Sequence, residues 1–125
     1  MIKAIWKGEV IAQSDKFEIV EGNYYFPPNS INREFLKESN THSTCPWKGI
    51  ASYYDVVVKQ DINKDAAWYY PDPKPAAKQI KNFIAFWKGI LINIVTRIKK
   101  MSAYNEMDLE EEVVVRSFEK SDVKE

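Results

Sequence analysis

The sequence predicts a mainly β (α+β) fold, with antiparallel sheets and one C-terminal amphipathic helix packed on them. Three observations predict this class. Short apolar runs alternate with polar residues and are separated by tight-turn signals such as Lys7-Gly8 and Gly22-Asn23. A β-branched and aromatic run, YYDVVV, lies near the middle of the chain. One later segment, after a proline-rich connector, has the apolar spacing of a helix.

The first part of the chain is predicted to form three or four short strands. Residues 2–6 and 10–12 make a hairpin, residues 17–20 and 24–26 follow, and Pro27-Pro28 ends regular pairing. A single helical turn over residues 33–36 is expected, with Asn29 or Ser30 as its cap. Residues 52–59 predict a further strand, residues 61–63 a turn, and residues 66–70 the antiparallel partner.

The predicted helix follows Pro71, Pro73 and Pro75, which form a stiff connector. Pro75 suits a first helical turn because its missing N–H is not needed there, and Gly89 is a natural stop. The apolar stripe that would pack on the sheet consists of Ile80, Phe83, Ile84 and Trp87.

At 125 residues the chain is expected to form one compact domain over residues 1–89, with an atypical tail or added element over residues 90–125. The first 90 residues hold 15 of the 17 aromatic side chains. The tail runs from an apolar segment through a basic patch to an acidic one and then to residues 113–115. The basic patch consists of Arg97, Lys99 and Lys100, and the acidic one of Glu106, Asp108 and residues 110–112. A helix lying on the domain, a partner-binding segment and partial disorder stay open.

Composition restricts the partners. The 18 basic and 18 acidic side chains cancel, which argues against nucleic acid as a partner. The longest apolar stretch, residues 89–95, is far too short to cross a membrane. A single cysteine suits a reducing compartment, and the first ten residues lack the apolar core of a signal peptide, so a cytoplasmic location is expected. The oligomeric state is not predicted.

The segment THSTCPWKG contains the only histidine and the only cysteine of the chain, His42 and Cys45, in a predicted turn. The H-x-x-C spacing supplies two zinc ligands where a structural site needs four, so no metal is predicted. A catalytic set is one interpretation: Cys45 as nucleophile, His42 stabilising the thiolate, and Asp65 orienting the imidazole or acting as base. The alternative is an inert, buried cysteine.

Trp47, Lys48 and Gly49 predict a ligand site, because they combine a flat apolar face, a cation and a backbone that permits close approach. The alternative is a turn with a solvated lysine and a core tryptophan. Residues Tyr53, Trp68 and Tyr70 are the expected pocket wall, each also a candidate for the core.

Asp65 enters an apolar aromatic segment, where a carboxylate is costly unless it is paired. Lys48 or Arg33 is expected to satisfy it structurally. The alternative is that Asp65 faces a pocket beside His42 and Cys45.

The segments GNYYFPP, THSTCPWKGIASYYDVVV, NKDAAWYYPDP and FIAFWKG together resemble domain-of-unknown-function family 427, a small bacterial family. The resemblance covers residues 1–89 and implies a compact β domain with one C-terminal helix; a tent-like pair of sheets is a looser analogy. Some members carry a nucleotidyltransferase label. The sequence argues against that activity, because it has no Asp-x-Asp, Gly-Ser, Walker-type or GxGxxG motif, and no cofactor is predicted.

The sequence therefore favours a small-molecule-binding domain with an aromatic pocket around THSTCPWKG and KDAAWYYP. Two alternatives stay open: a small hydrolase or transferase with Cys45 as nucleophile, and a structural or interaction module in which the tail recruits a partner.

Overall fold

A computed structural model describes residues 1–101 and 108–120, and these form β-strands joined by tight turns and short 3₁₀ turns. The strands are β1 (Ile2–Trp6), β2 (Glu9–Ser14), β3 (Glu18–Val20), β4 (Asn23–Tyr25), β5 (Leu36–Cys45), β6 (Gly49–Val58), β7 (Asp61–Tyr69), β8 (Ile84–Phe86), β9 (Leu91–Met101) and β10 (Asp108–Glu119). The 3₁₀ turns span Pro28–Ser30, Arg33–Phe35 and Pro75–Ile80. The predicted mainly β class is confirmed.

Two four-stranded antiparallel sheets and one small hairpin make up the fold. The first sheet has the order β10-β9-β1-β2, the second has the order β5-β6-β7-β8, and β3 pairs only with β4 among the named strands. The predicted hairpin at Lys7-Gly8 is confirmed, and both of its turn residues have the positive φ that such turns require.

The second sheet is buried on both faces. Its inner face packs against the first sheet in one apolar core, to which Ala67 and Phe86 contribute from this sheet and Ile2 and Ile92 from the other. The outer face carries a second core around Trp68, which is completely buried. Ala67 and Phe86 are partners across β7 and β8, and the next pair, Trp68 and Ala85, points to the opposite core, as strand alternation requires. The β3–β4 hairpin contributes to this second core through Val20 and Tyr25.

The C-terminal helix predicted over residues 75–89 is wrong. Residues Pro75–Ile80 form a 3₁₀ turn, with Pro75 at its start, and residues 84–86 form β8. Asn82 and Lys88 have φ of 62° and 56°, a conformation that an α-helix cannot contain. The helix was predicted because β8 lacks the alternation of apolar and polar residues that indicates a strand. All three of its residues are apolar and buried, since both faces of β8 are covered.

Two turns lie elsewhere than expected. The turn predicted at residues 61–63 falls at residues 59–60, where Lys59 has φ of 55°, and residue 61 already begins β7. His42 and Cys45 lie on β5, whereas the turn after it comprises residues 46–48. The strands predicted around residues 52–59 and 66–70 are confirmed as β6 and β7.

Residues 90–101 and 108–119 of the expected tail are joined to the first sheet. β9 pairs with β1, and Ile90, Ile92 and Val95 are buried. β10 pairs with β9 and brings the acidic residues opposite the basic ones: Glu110 is the partner of Lys99, and Glu112 that of Arg97. Of the tail residues singled out above, Glu106 lies outside the described part of the chain. In the part that is described, no helix has the length and apolar character to span a membrane.

Candidate functional site

A cavity of ≈ 350 Å³ opens on the outer face of the second sheet, next to the Trp68 core. We call it the Lys48 cavity. Its wall comes from the end of β5, the turn after it, β6, the end of β7, the residue after β8 and the tip of the β3–β4 hairpin. The lining residues are Glu21, Ser43, Thr44, Cys45, Pro46, Lys48, Tyr53, Tyr70 and Trp87.

Lys48 is the most unusual of these residues, because it is charged and only 1% exposed. Its ammonium group donates a hydrogen bond to the Glu21 carboxylate and lies 5.4 Å from the ring centre of Trp47 and 5.6 Å from that of Tyr70. Burial of an ammonium is costly unless it is paired, and the carboxylate and the two ring faces supply that compensation. The alternative interpretation of Lys48 as a solvated lysine is therefore wrong.

The backbone holds both partners of this ion pair in place. Glu21 and Gly22 form the turn of the β3–β4 hairpin with φ of 52° and 76°, which directs the hairpin tip over the cavity. Gly49, directly after Lys48, has φ of 114°, and a Cβ there would lie 3.4 Å from the Asp72 carbonyl oxygen. The Lys48 carbonyl accepts a hydrogen bond from the Lys74 N–H at 2.9 Å. The turn and the segment after β7 are thus fixed to each other.

Hydroxyl groups line the rest of the wall. The hydroxyls of Ser43 and Tyr53 lie 2.7 Å apart and share a hydrogen bond. Tyr70 is completely buried, and this burial, with the nearby Tyr25 as a smaller influence, raises its pKa. Burial likewise raises the pKa of Tyr25 to about 12, although the hydrogen bond from Trp68 opposes it. The phenols of Tyr25 and Tyr70 therefore stay protonated at neutral pH.

A second cavity of ≈ 410 Å³ lies nearby, lined by His42, Gly49, Ile50, Ser52, Pro71, Asp72 and Lys74. Its polar side chains are mostly exposed: His42, Asp72 and Lys74 all face solvent. The Ser52 hydroxyl lies 3.2 Å from His42 Nδ1. Because exposed side chains are free to change rotamer, this cavity is less preorganised than the Lys48 cavity.

Asp65 lies in neither cavity but in a hydrogen-bonded network that we call the Asp65 cluster: Ser39, Thr41, Asp55, Lys64 and Asp65. The Asp65 carboxylate accepts hydrogen bonds from Ser39 at 2.5 Å and Thr41 at 2.7 Å, and its backbone N–H donates to the Asp55 carboxylate at 2.8 Å. Asp65 has φ of 54° at an irregularity of β7, a conformation that aspartate tolerates better than most residues. The expected partners Lys48 and Arg33 are replaced by these hydroxyls and Lys64.

The pKa of Asp65 lies below its usual range. Burial is the largest single influence and raises it, but the hydrogen bonds from Ser39 and Thr41 and the positive charges of Lys64 and Lys88 together lower the pKa by more. The carboxylate is therefore ionised and satisfied within the network.

The structure brings some of the predicted site residues together and separates others. Of the expected ligand-binding residues, Lys48, Tyr53 and Tyr70 line the Lys48 cavity. Trp47 is 40% exposed beside Lys48. The remaining two lie elsewhere: Gly49 lines the second cavity, and Trp68 is buried, with its Nε1 donating to the Tyr25 hydroxyl at 3.2 Å.

The proposed catalytic residues are not adjacent. Cys45 lines the Lys48 cavity, whereas His42 lines the second cavity, because residues three apart on a strand point to opposite faces.

Sequence reasoning did not single out Glu21, Ser43 and Thr44 as lining residues. Glu-Gly at a predicted hairpin turn was a signal for an unusual backbone at Glu21, but no pattern connected it to Lys48, 27 positions later.

Comparison with protein families identifies the family of the chain. The family model that matches residues 1–107 is described as a domain of unknown function, DUF427. The chain belongs to this family. The match includes every residue that lines the Lys48 cavity and continues past residue 89 into β9. No curated protein matches the chain closely enough to count as a relative.

The DUF427 description names no reaction. Within residues 1–101 and 108–120, no group of three or more histidine, cysteine, aspartate or glutamate side chains is arranged to hold a metal ion. What distinguishes the site chemically is a buried ammonium, paired with a more exposed carboxylate, beside a partly apolar cavity with hydroxyl and thiol groups around it.

Proposed function

We propose that this DUF427 protein is a small-molecule-binding domain whose ligand occupies the Lys48 cavity. The observation that carries the proposal is Lys48 itself: a buried ammonium group, paired with Glu21, in the wall of a cavity of ≈ 350 Å³. Ligand pockets of small molecules combine an apolar wall with a few fixed polar groups and begin at about 300 Å³. Buried ion pairs contribute little to stability on average, so stability alone is a weak reason for one here.

The apolar and polar parts of the wall are suited to different parts of a ligand. The aromatic rings of Tyr53, Tyr70 and Trp87 offer apolar contact, while Lys48 and the Ser43 hydroxyl offer hydrogen-bond donors. Tyr53 and Tyr70 are 5% and 0% exposed, so their rings are already held in position before a ligand arrives. Such preorganisation lowers the entropic cost of binding.

Binding is favoured over the catalytic alternative by the separation of its three residues. Cys45 lines the proposed site, but His42 lies on the other side of β5 and Asp65 belongs to its own network. A nucleophile needs its base within hydrogen-bonding distance. We therefore assign Cys45 to the wall of the binding site and not to covalent chemistry.

A thermal-shift screen against a metabolite library tests the proposal, because a ligand that binds the native state raises the melting temperature. The matched variants are Cys45→Phe, which fills the Lys48 cavity, and His42→Phe, which enters the second cavity from the same strand. We expect hits on the wild-type protein that His42→Phe keeps and Cys45→Phe loses. A hit that only His42→Phe loses would move the site to the second cavity, and a screen without hits would overturn the proposal.

The only cysteine of the chain gives a readout that does not depend on the folding of a variant. Iodoacetamide is expected to alkylate the partly exposed Cys45 thiol of the wild-type protein, and a molecule in the Lys48 cavity would cover that thiol. Each hit is therefore expected to slow alkylation in proportion to its occupancy. Hits that leave the alkylation rate unchanged would place their binding elsewhere and contradict the proposal.

A second candidate, an interaction module, is favoured by the exposed edge strand β10. Val114 and Val115 are 52% and 64% exposed, and no strand in the described part of the chain pairs with the outer edge of β10. Unpaired strand edges bind other strands. A second copy of this chain fits, because Glu112 and Arg116 lie on either side of Val114, so two antiparallel β10 edges bring opposite charges near each other around the irregularity at Val115.

Light scattering coupled to gel filtration tests this candidate at increasing protein concentration. The wild-type protein and the control Ile62→Lys, an exposed isoleucine on β7, are expected to form dimers, and Val114→Lys is expected to stay monomeric. A monomeric wild-type protein at the highest concentration would contradict it. Removal of residues 90–125 is unsuitable as a test, because Ile90 and Ile92 belong to the core.

A further inference from the structure

The two charges of the Lys48 cavity balance each other and are in direct contact. Lys48 and Glu21 form an ion pair, and none of the other seven lining residues is an acidic or basic residue. The two charged side chains differ in exposure: that of Lys48 is 2% exposed and that of Glu21 is 39% exposed. The site therefore has a buried positive group, a more exposed negative group, and no net charge.

This arrangement leads to an inference that rests on the proposed function and names its ligand. We infer that the ligand is a small zwitterion, an amino-acid-like molecule whose carboxylate is bound by Lys48 and whose ammonium group is bound by Glu21. Lysine has three donors and a carboxylate has about four acceptor positions, so each keeps capacity for a ligand beside its existing bond. The carboxylate end lies inward because Lys48 is the deeper group.

Ligands with a net charge fit this site less well. An anion would be attracted by Lys48 but repelled by Glu21, which is paired with Lys48. A cation would be attracted by Glu21 but repelled by Lys48. Either would also bring an uncompensated charge out of water, which is costly. A zwitterion gives each protein charge an opposite partner and adds no net charge to the site.

The remainder of the wall sets the other part of the ligand. Trp87 and the rings of Tyr53 and Tyr70 form apolar surface in the same cavity. A volume of ≈ 350 Å³ lies at the low end of the range for ligand pockets, which limits the ligand to a small molecule. An amino acid with an apolar or aromatic side chain meets both conditions, and the hydroxyl pair of Ser43 and Tyr53 offers one further hydrogen bond.

Calorimetric titration of the full chain tests the inference with matched molecules. The probes are apolar and aromatic amino acids, each with its N-acetyl derivative, which is an anion, and its carboxamide, which is a cation. We expect at least one amino acid to bind, and both of its derivatives to bind at least about tenfold more weakly. A derivative that binds as tightly as its parent would overturn the inference.

Two variants assign each ligand charge to a residue. We call the loss of affinity of a derivative relative to its parent amino acid its penalty. In Glu21→Gln the penalty for the N-acetyl derivative is expected to shrink, because the protein partner of the ammonium group is gone. In Lys48→Met the penalty for the carboxamide is expected to shrink for the corresponding reason. Lys16→Met, which removes an exposed lysine that lines neither cavity, is the control and is expected to change neither penalty. Penalties that stay unchanged in both cavity variants would refute the assignment.

Failure of this inference is distinguishable from failure of the proposed function. If no amino acid binds but another molecule in the library protects Cys45 from alkylation, the zwitterion is wrong and the binding site stands. If no molecule of either set binds, both are overturned.

Discussion

The second sheet carries two groups of charged residues, and they differ in what surrounds them. At the Lys48 cavity a buried ammonium and a carboxylate adjoin empty space. In the Asp65 cluster the carboxylates of Asp55 and Asp65 are bonded to hydroxyls, a lysine and a backbone N–H, and neither residue lines a described cavity. Under the proposed function, a buried charge marks a binding site only when some of its bonding capacity faces a cavity. Otherwise it holds an irregular piece of backbone.

The largest effect is expected from the Asp65 cluster, because its role is structural. Replacing Asp65 with alanine removes the acceptor of two hydroxyl groups and places a less tolerant residue at φ of 54°. Two hydrogen bonds to a charged group and the backbone strain predict a loss of roughly 2–3 kcal/mol in the free energy of unfolding. Urea denaturation measures it. Asp65→Asn, which keeps an acceptor and tolerates this φ, is expected to lose about half as much.

Ligand binding separates the two groups further. Asp65→Asn is expected to bind ligands of the Lys48 cavity as the wild-type protein does. If an Asp65→Asn variant folded but no longer bound these ligands, the Asp65 cluster would also take part in binding. The difference in role between the two groups would then be contradicted.

The next largest effect concerns the asymmetry of the Lys48–Glu21 pair. Glu21→Gln leaves the buried ammonium without its charged partner, whereas Lys48→Met leaves a carboxylate that is 39% exposed and reaches water. Roughly 1–2 kcal/mol of unfolding free energy is expected to be lost in Glu21→Gln, and less than about 1 kcal/mol in Lys48→Met. The double variant should resemble Lys48→Met. If Lys48→Met lost more unfolding free energy than Glu21→Gln, the ion pair would stabilise the fold. Its role would then be structural, like that of the Asp65 cluster.

The smallest effect is a difference in acid sensitivity. Because the folded state holds the pKa of Asp65 below its usual value, ionised Asp65 stabilises the fold above the ordinary carboxyl pKa of about 4. That stabilisation is lost as the pH falls from there through the lowered pKa. Thermal melts between neutral pH and pH 2.5 are expected to give a shallower acid dependence for Asp65→Asn than for the wild-type protein. Identical curves would contradict the role of Asp65 as an ionised structural acceptor.

The sequence predicted most of the fold because its strands have strong local signals. Lys7-Gly8 gave the first hairpin, and the β-branched run gave β6. β8 was taken for a helix because three consecutive buried residues have no period of their own, and the positive φ of Asn82 and Lys88 has no simple signature in those residue types. The strand β9 was left open because its pairing with β1 depends on contacts some 90 residues apart, and β10 was left open because its partner is β9.

The site was predicted in part for a related reason. Lys48, Tyr53 and Tyr70 lie in two motifs that composition made conspicuous, and they line one cavity. Glu21 comes from a hairpin that is distant in sequence, and the side of the strand to which His42 points depends on the extent of β5, which was taken for a turn. The sequence showed which residue types belong to the candidate site. It did not show on which face of a strand each side chain lies, because that assignment needs the strand boundaries.

The pairing of β1 with β9 has a consequence for how the chain folds. β1 meets its first partner, β2, at once through a two-residue turn, but its other edge is covered only by residues 91–94. Closing a contact over so much chain costs entropy before it gains burial, and folds built on such contacts form slowly. During synthesis this edge of β1 stays unpaired until residues 91–94 have been made. Its apolar side chains Ile2 and Ala4, buried in the finished molecule, are then available to chaperones.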